Sequence, residues 1–212
     1  AYAYQIVYLL IGFFGKGKGG KQAPALHRYA AIIAARNEEN VIGDLIKSLK
    51  RQDYPAELLD VIVIADNCTD RTAEVSRQAG AIVYERFNKV QVGKGYALDY
   101  LFRRIFEDQG EQAYEGFFVF DADNLVDPQF VREMNKMFDT GEYAALTSYR
   151  NSKNFCDNWI SAGYALWFLR EARYLNRPRT QLGVNCAVSG TGFLVAADVI
   201  REDGGWPYHL LT

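Results

Sequence analysis

Short apolar runs alternate with amphipathic segments along most of this 212-residue chain. Largely apolar stretches at residues 29–35, 59–65 and 116–120 predict buried strands, because a strand covered on both faces lacks polar alternation. Apolar residues recur at helical spacing in residues 39–51 and 94–107, which predicts helices with one buried side. This alternation predicts an α/β fold with a mostly parallel sheet and helices on both faces.

Weaker signals extend the same alternation. Helices are also predicted at residues 69–79 and 157–175 and from near Pro128, and strands at residues 81–85, 143–148, 184–188 and 193–195. Asn37 is placed to cap the first predicted helix, and Thr69 or Asp70 the second, which Gly80 ends. The predicted elements therefore cover the chain from residue 29 onward, as expected of a folded domain.

The N-terminal residues differ from the rest of the chain. The first 14 residues are apolar and uncharged, and three lysines follow them closely. This run is shorter than the about 20 residues that cross a bilayer. We interpret it as the end of a transmembrane helix, with the lysines on the cytoplasmic side. The alternatives are an interfacial helix or a buried strand. The expected organisation is a membrane-associated segment at residues 1–15, a basic linker at 16–28 and a domain at 29–212. The expected location is the cell membrane, with the domain on the cytoplasmic side.

Composition narrows the classes of protein that this chain can belong to. A content of 49% hydrophobic residues fits a folded domain rather than a disordered chain. A net charge of −2 provides no basic field for nucleic acid, so no nucleic-acid partner is expected. Cys68, Cys156 and Cys186 are too widely spaced for a disulfide framework or a metal knuckle, and we expect them to be reduced and mostly buried.

Four polar clusters fall at the ends of predicted strands. They are Arg36-Asn37-Glu38-Glu39, Asp66-Asn67-Cys68-Thr69-Asp70, Asp121-Ala122-Asp123-Asn124 and Ser189-Gly190-Thr191-Gly192-Phe193. Because ligands of parallel sheets bind beyond the carboxyl ends of the strands, function is expected at these clusters. Each also has a purely structural interpretation, as a helix cap, an Asx turn, a surface turn or a glycine connection between strands.

The third cluster places two carboxylates, Asp121 and Asp123, at the tip of a strand with one residue between them. Their charges repel unless a cation or hydrogen-bond donors intervene. A divalent cation removes that cost, and hard oxygen ligands suit Mg²⁺ or Mn²⁺, which also bind substrate phosphates. Lys94, between two glycines at a predicted helix start, adds a cation where a phosphate would bind. The spacing GxxxxGK(S/T) of NTPases is absent, and no dinucleotide-binding fingerprint GxGxxG follows the first predicted strand.

On these residues the chain resembles glycosyltransferase family 2, which consists of inverting enzymes with the GT-A fold. It is most similar to the membrane-embedded members that include cellulose, hyaluronan and poly-N-acetylglucosamine synthases. The resemblance covers about residues 29–212 and rests on five motifs in the family's order. They are Ala35-Arg36-Asn37-Glu38-Glu39, Asp66-Asn67-Cys68-Thr69-Asp70, Lys94-Gly95, Asp121-Ala122-Asp123 and Ser189-Gly190-Thr191-Gly192. Arg36 departs from the family pattern, which often has a tyrosine there.

The resemblance implies a role for each matched residue. The donor would be UDP-glucose or UDP-N-acetylglucosamine, and the acceptor a glycan or a lipid-linked molecule. The donor-binding residues would be Ala34 (through its backbone), Glu38 and Asp66 at the uracil and ribose, Lys94 at the diphosphate, and Asp121 at the ribose or sugar. The metal ligand for Mg²⁺ or Mn²⁺ would be Asp123, and the residues beside the acceptor would be Ser189, Gly190, Thr191 and Gly192.

Two motifs of the resembled family are missing. The general base lies in a Thr/Ser-Glu-Asp motif, and processive members also carry Gln-x-x-Arg-Trp. We therefore expect the base after Thr212 and a chain that binds donor without completing the transfer. One alternative is a sugar nucleotidyltransferase, disfavoured because AARNEEN replaces that class's glycine-rich loop. The other is a nucleotide-sugar-binding module without activity.

Overall fold

The structure is a computed structural model that describes residues 3–15, 19–188 and 190–208. It divides into two compact units. The larger unit comprises Gly20–Leu146 and Gly190–Thr212, and the smaller unit comprises Ala1–Gly19 and Thr147–Ser189. Residues 16–18 of the predicted linker and the predicted acceptor-side Ser189 lie outside the described residues.

A six-stranded sheet forms the centre of the larger unit. Its strands are β1 (Tyr29–Ala35), β2 (Leu59–Asp66), β3 (Ile82–Arg86), β4 (Gly116–Asp121), β5 (Ala145–Thr147) and β6 (Phe193–Ala196), in the spatial order β3-β2-β1-β4-β6-β5. β1 pairs in parallel with β2 and β4, and β2 with β3, whereas β6 runs antiparallel to β4. The mostly parallel α/β fold predicted from the sequence is therefore confirmed.

The described residues form eight α-helices. They are α1 (Ala3–Phe14), α2 (Ile42–Lys50), α3 (Thr72–Gln78), α4 (Lys94–Gln109), α5 (Phe130–Phe138), α6 (Trp159–Glu171), α7 (Arg177–Gln181) and α8 (Ala197–Glu202). A short 3₁₀ turn at Ala56–Leu58 precedes β2, and a π-helical segment at Ala172–Asn176 joins α6 to α7.

Apolar side chains cover both faces of the sheet. β1 sends Ile33 into one buried cluster with Leu45 of α2, and Ile32 into the opposite cluster with Leu101 and Phe102 of α4. Because successive strand residues point to opposite faces, a continuous apolar run is needed to fill both layers. Burying one such side chain contributes about 1.5–3 kcal/mol. These two layers fix the sheet whose edge carries the polar clusters.

The strand register aligns the carboxyl ends of the parallel strands. Ala34 of β1 lies opposite Ile64 of β2 on one side and Asp121 of β4 on the other. Asp66, the last residue of β2, lies opposite Arg86, the last residue of β3. The polar residues that end these strands therefore share one edge of the sheet, where ligands of parallel sheets bind.

The smaller unit contains α1, α6 and α7. α1 packs against the π-helical segment and α7. Gly12 makes this contact close, because a Cβ there would lie 2.8 Å from Cδ1 of Tyr174. Residues 3–14 of the N-terminal run are thus helical, so the interpretation of that run as a buried strand is wrong. None of the helices in the described part of the chain combines the length and apolar character that a membrane crossing requires.

Two predicted helix starts are displaced. α2 begins at Ile42 rather than at residue 39, and α3 begins at Thr72 rather than at residue 69. Asn37 does not cap α2, because its side-chain oxygen accepts a hydrogen bond from the Thr69 N–H at 2.8 Å. Asp70 accepts from the Thr72 N–H at 3.0 Å, within the turn that precedes α3. Asn37 therefore organises the loops at the sheet edge, whereas Asp70 contacts the N–H of the first residue of α3.

Two further expectations are wrong. Residues 184–188, predicted as a strand, adopt no regular structure. β6 already has β4 on one edge and β5 on the other, so a hairpin between that segment and β6 has no open edge. The three cysteines are free thiols as expected, but none is buried, and Cys156 is exposed.

Candidate functional site

The acidic turn at the end of β4 is the centre of the candidate site. The chain turns directly after Asp121, and the Asn124 N–H donates to the Asp121 carbonyl at 3.2 Å. The Asp121 side chain is 43% exposed, and its Oδ1 accepts from Lys94 Nζ at 2.5 Å. Lys94 is the first residue of α4 and follows Gly93, whose φ of 131° favours glycine. Two residues predicted to bind the donor are thus in direct contact.

The glycine-rich segment before β6 is attached to the same turn. Lys94 Nζ donates to the Gly190 carbonyl at 3.2 Å. Thr191 Oγ1 accepts from the Asp121 N–H at 2.7 Å and donates to Asn124 Oδ1 at 2.5 Å. One hydroxyl therefore connects the predicted acceptor-side segment to the predicted metal-side turn.

Backbone geometry explains why this segment is rich in glycine. Gly190 and Gly192 have φ values of 67° and 69°, in the left-handed region that other residues rarely adopt. The Gly192 N–H donates to the Val119 carbonyl at 2.8 Å, which brings the segment against β4 just before β6 begins. A side chain other than hydrogen at either position would strain this approach.

Asp123 is the exposed carboxylate of the acidic turn, and its Oδ1 accepts from Asn124 Nδ2 at 3.1 Å. Among residues 3–15, 19–188 and 190–208, no three His, Cys, Asp or Glu side chains group as a complete set of metal ligands. Mg²⁺ in phosphate-transfer sites is usually bound through one or two carboxylates together with substrate phosphates. The exposed carboxylate of this turn is of the chemical kind that such an ion prefers, whereas the Asp121 carboxylate already contacts Lys94.

Asp66, at the end of β2, is held by a buried ion pair. Its Oδ1 accepts from Arg86 Nη1 at 2.7 Å, and the two side chains are only 7% and 5% exposed. Arg86 also donates to the Gln91 carbonyl at 2.8 Å, and its guanidinium lies 5.9 Å from the Tyr100 ring centroid. A buried carboxylate without such a partner would be costly. Arg86 therefore pairs with the Asp66 carboxylate and fixes its direction.

A groove of about 420 Å³ opens beside Arg86. Its lining includes Phe87, from the loop after β3, and Tyr96 and Tyr100 of α4. Tyr96 also contacts the Tyr208 ring, with centroids 4.9 Å apart. This groove is a concave surface of the larger unit, and the predicted donor residues do not line it.

The loops that follow β1 and β2 are joined to each other. Asn37 and Asn67 both have positive φ values, of 58° and 52°, a conformation that asparagine tolerates better than most residues. The Glu38 N–H donates to Thr72 Oγ1 at 2.8 Å, and Asn37 N–H contacts Cys68 Sγ at 3.5 Å. Hydrogen bonds therefore join the clusters predicted after the first and second strands.

Two side chains in these loops have shifted pKa values. Desolvation raises the pKa of Asp70, but hydrogen bonds from the Thr72 hydroxyl and N–H and the Glu39 N–H outweigh it, so the net pKa is lowered. Burial raises the pKa of the Cys68 thiol above its usual value. The thiol therefore stays protonated and donates to the Ala35 carbonyl at 3.5 Å, which argues against a nucleophilic role.

The structure joins some predicted residues and separates others. Lys94, Asp121, Gly190 and Thr191 form one hydrogen-bonded group, whereas Asp66 lies across β1 from Asp121. Glu38 contributes its backbone to the β1 loop, and its side chain makes no hydrogen bond or ion pair with another described residue.

Arg86 and Thr191 have structural roles that the sequence did not predict. Arg86 is the last residue of β3, and a charged residue at a strand end is a usable signal, because its charge must be paired if it is buried. No local pattern indicates that its partner is Asp66, 20 residues earlier. Thr191 stands out in the sequence only as part of a glycine-rich segment, and its contacts depend on residues about 70 positions away.

Fold and site together define an α/β protein with a lysine and carboxylates at the carboxyl edge of its sheet. A family model described as "Glycosyltransferase like family 2" matches residues 27–210, and the chain belongs to this family. The resemblance inferred from the motifs is therefore confirmed.

Curated relatives share modest identity with the chain. β-Monoglucosyldiacylglycerol synthase of Synechocystis sp. is 28% identical over 190 residues, which cover 85% of this chain and 37% of the relative. 4,4'-Diaponeurosporenoate glycosyltransferase of Staphylococcus haemolyticus is 37% identical over 98 residues, which cover 44% of this chain and 24% of the relative. The chain thus spans about two fifths of the length of the first of these relatives, at 37%.

Solved structures with the GT-A fold are similar to this one. The mannosyltransferase PcManGT from Pyrobaculum calidifontis, in complex with GDP-Man and Mn²⁺, gives a TM-score of 0.67 at 18% identity, covering 98% of this chain and 56% of that one. S. aureus TarS 1-349 with UDP-GlcNAc gives 0.59 at 14% identity, covering 84% and 47%. Glucosyl-3-phosphoglycerate synthase from Mycobacterium tuberculosis with UDP gives 0.53 at 19% identity, covering 87% and 66%. At these identities the similarity shows the fold alone, and the predicted GT-A fold is confirmed.

Proposed function

We propose that this chain carries the donor side of an inverting glycosyltransferase that moves a sugar from UDP-glucose or UDP-N-acetylglucosamine to an acceptor. The observation that carries the proposal is the Lys94–Asp121 ion pair, 2.5 Å long, in the acidic turn that also holds Asp123. The position of this pair at the carboxyl edge of a parallel sheet supports a phosphate-bearing ligand. Family membership supports a nucleotide-sugar donor.

Lys94 is proposed to bind the donor diphosphate. It begins a 16-residue helix without acidic residues in its first turn, so the helix N-terminus and the ammonium both favour an anion at this point. An incoming diphosphate would compete with Asp121 for the ammonium. That exchange would release the Asp121 carboxylate to accept hydrogen bonds from donor hydroxyls.

Asp123 is proposed to bind Mg²⁺ or Mn²⁺ together with the donor phosphates. Such an ion would neutralise the negative charge that develops on the departing nucleoside diphosphate. Asn124 orients the Asp123 carboxylate through its Nδ2 at 3.1 Å and is itself oriented by Thr191 at 2.5 Å. The Asp123 carboxylate is therefore oriented before the ion binds.

Asp66, the Ala34 backbone and Glu38 are proposed to bind the uracil and ribose. Arg86 contacts Oδ1 of Asp66, and the described residues provide no hydrogen-bond donor to Oδ2. Oδ2 is therefore the oxygen proposed to accept from the nucleoside. Ala34 lies between the Asp66 and Asp121 strands, which places its backbone within the span that a nucleoside diphosphate would cover.

The acceptor is proposed to be a lipid-linked molecule or a glycan, next to the segment from Ser189 to Gly192. The names of the curated relatives, a glucosyldiacylglycerol synthase and a diaponeurosporenoate glycosyltransferase, support lipid acceptors. A cell-membrane location with this domain on the cytoplasmic side follows as part of the proposal. The base that takes the acceptor proton is assigned to no described residue and is expected in a Thr/Ser-Glu-Asp motif.

Calorimetric titration of the chain with UDP, with and without Mn²⁺, tests the donor site. We expect binding that Mn²⁺ strengthens, and we expect Asp123→Asn to remove the effect of Mn²⁺. Lys94→Met should weaken binding about tenfold or more, because a hydrogen bond to a charged group contributes about 1.5–3 kcal/mol.

Asp44→Asn is the matched control, since Asp44 lies on α2 with a side chain that is 70% exposed. Absence of UDP binding would contradict the proposal. Equal affinities and equal Mn²⁺ responses in the Asp123→Asn and Asp44→Asn chains would contradict it as well.

A further inference from the structure

Charge is divided very unevenly between the two units. The sequence of the smaller unit, residues 1–19 and 147–189, contains eight Lys or Arg and two Asp or Glu, a net charge of +6. The remaining residues carry −8, which together give the chain its net −2. The net charge of the whole chain is therefore close to zero although the smaller unit is basic, and a basic unit favours an anionic partner.

The same basic unit also contains most of the large apolar side chains that are exposed to solvent. Seventeen of the 23 large apolar residues that are exposed among the described residues belong to it. Scattered exposed apolar residues are normal on a globular surface, but a concentration of this kind marks an interaction surface. The larger unit, which has more than twice as many residues, contains only six of them.

Helix α6 shows the pattern most clearly, because its amphipathic character is inverted. Small residues, Ser161 and Ala165, form its buried side at 9% and 4% exposure. Its large side chains point outward, led by Trp159 at 82%, Tyr164 at 60% and Trp167 at 59% exposure. A helix that packs on its own domain buries its large apolar residues. The outward apolar side chains of α6 therefore indicate a contact with a partner outside this unit.

The outward residues form one continuous face. At about 100° per residue, the exposed positions fall within an arc of about 160°. These positions, which we name the α6 outer face, are Trp159, Ile160, Tyr164, Leu166 and Trp167. Arg170 falls on the same arc at the C-terminal end, and its guanidinium lies 5.5 Å from the Trp167 ring centroid. Opposite this face lie the buried Ser161 and Ala165.

We propose that the α6 outer face docks on an anionic lipid surface. Tryptophan and tyrosine are enriched where protein meets lipid headgroups, because their rings are apolar and their N–H and O–H groups remain hydrated. Arg170 at the end of the face, and Arg173 and Arg179 after it, supply cations that anionic headgroups attract. An apolar face flanked by basic residues is the pattern of a helix that lies in the membrane interface.

This surface is distinct from both the proposed donor site and the N-terminal apolar run. The donor residues lie in the larger unit, so a UDP titration and a lipid-binding assay report on different residues. Exposed apolar residues of α1, including Phe13 at 60% and Phe14 at 83%, provide an independent second candidate for lipid contact in the same unit. The experiment must therefore separate α6 from α1.

Co-sedimentation with vesicles tests the proposal directly. The chain is mixed with vesicles of phosphatidylcholine alone, or of equal parts phosphatidylcholine and phosphatidylglycerol. We expect the chain to bind the anionic vesicles. Added salt should weaken this binding, because screening reduces the range of the electrostatic attraction. The paired change Trp159→Ser and Trp167→Ser should reduce the bound fraction about tenfold or more, since each indole loses its apolar contact.

Fluorescence provides a second readout. Replacing Trp206, which stacks on Phe102 in the larger unit, by phenylalanine leaves the two α6 tryptophans as the only indoles of the chain. Their emission should shift to the blue on anionic vesicles and be quenched by lipids brominated on the acyl chains. An unchanged spectrum in the presence of bound vesicles would overturn the proposal.

The matched control is the paired change Phe87→Ser and Val90→Ser, because both residues are strongly exposed, at 71% and 92%, on the larger unit. This control should bind vesicles like the unchanged chain. Vesicle binding that survives the α6 change but is lost on Phe13→Ser and Phe14→Ser would overturn the proposal. It would also be overturned if the chain bound no vesicles, or if the α6 change only dissociated a dimer in light scattering.

Discussion

Replacing Arg86 by methionine isolates the interaction that holds the proposed nucleoside-binding carboxylate. Arg86 and Asp66 are 5% and 7% exposed and are joined at 2.7 Å. Methionine fills much of the same volume but removes both the charge and the five N–H donors. The backbone bond in which the Asn67 N–H donates to the Arg86 carbonyl at 2.7 Å does not depend on the side chain. The change therefore leaves the strand end paired and the Asp66 carboxylate unpaired.

The expected loss of unfolding free energy is about 3–5 kcal/mol, the range for breaking one partner of a buried ion pair. The lost bond to the Gln91 carbonyl at 2.8 Å places the expected value toward the upper end. Changing Asp66 to asparagine in the same chain removes the uncompensated charge. The double variant Asp66→Asn/Arg86→Met should therefore recover about half of the loss or more.

Urea unfolding followed by circular dichroism at neutral pH measures these differences. Arg77→Met is the matched control, because Arg77 pairs with Glu85 at 2.5 Å while both side chains are about half exposed, at 52% and 40%. An exposed pair contributes about 0–1 kcal/mol, so this control should change little. A loss in Arg86→Met no larger than in Arg77→Met, or no recovery in the double variant, would refute the reasoning.

Three further predictions concern other parts of the larger unit. Thr191→Val removes the hydroxyl that links the acidic turn to the glycine-rich segment, so UDP affinity in the presence of Mn²⁺ should fall about tenfold by calorimetry, while Thr191→Ser should retain it. Hydrogen bonds led by Lys21 lower the pKa of Asp139 to about 2 from its usual 3.8, so this group stabilises the fold above about pH 4 and the contribution is lost as pH falls through 2. Urea unfolding should therefore show a steeper loss of stability in that window for the unchanged chain than for Asp139→Asn, and parallel curves would contradict the assignment. Because burial raises the pKa of the Cys68 thiol, iodoacetamide at pH 8 should label Cys68 more slowly than the exposed Cys156, as measured by mass spectrometry of peptides.

The parallel sheet could be predicted because the residues of each strand indicate that strand without information from distant parts of the chain. β1, β2 and β4 are largely apolar runs, as expected of strands in a sheet that is covered on both faces. Parallel strands have their carboxyl ends at one edge, so the sequence alone predicts that Asp66 and Asp121 lie near each other. The family motifs added the individual roles, which remain proposals for each residue.

The remaining features depend on contacts between distant residues. Asn37 has the residue type of a helix cap, but its side chain bonds to Thr69, 32 positions later, and α2 begins without it. The pairing of Arg86 with Asp66 follows only from the register of β2 and β3. Residues 184–188 have strand-like composition but cannot pair with β6, because β4 and β5 already flank it. Local propensity predicts none of these outcomes.

The central claim is that the carboxyl edge around Lys94 and Asp123 binds a nucleoside diphosphate and a divalent metal. Crystals of the chain grown with UDP and Mn²⁺ test it most directly, because anomalous scattering locates the metal. We predict a Mn²⁺ peak about 2.1 Å from an oxygen of Asp123 and diphosphate oxygens within hydrogen-bond distance of Lys94 Nζ. UDP in the groove lined by Phe87 and Tyr100 instead, or a metal remote from Asp123, would contradict the account.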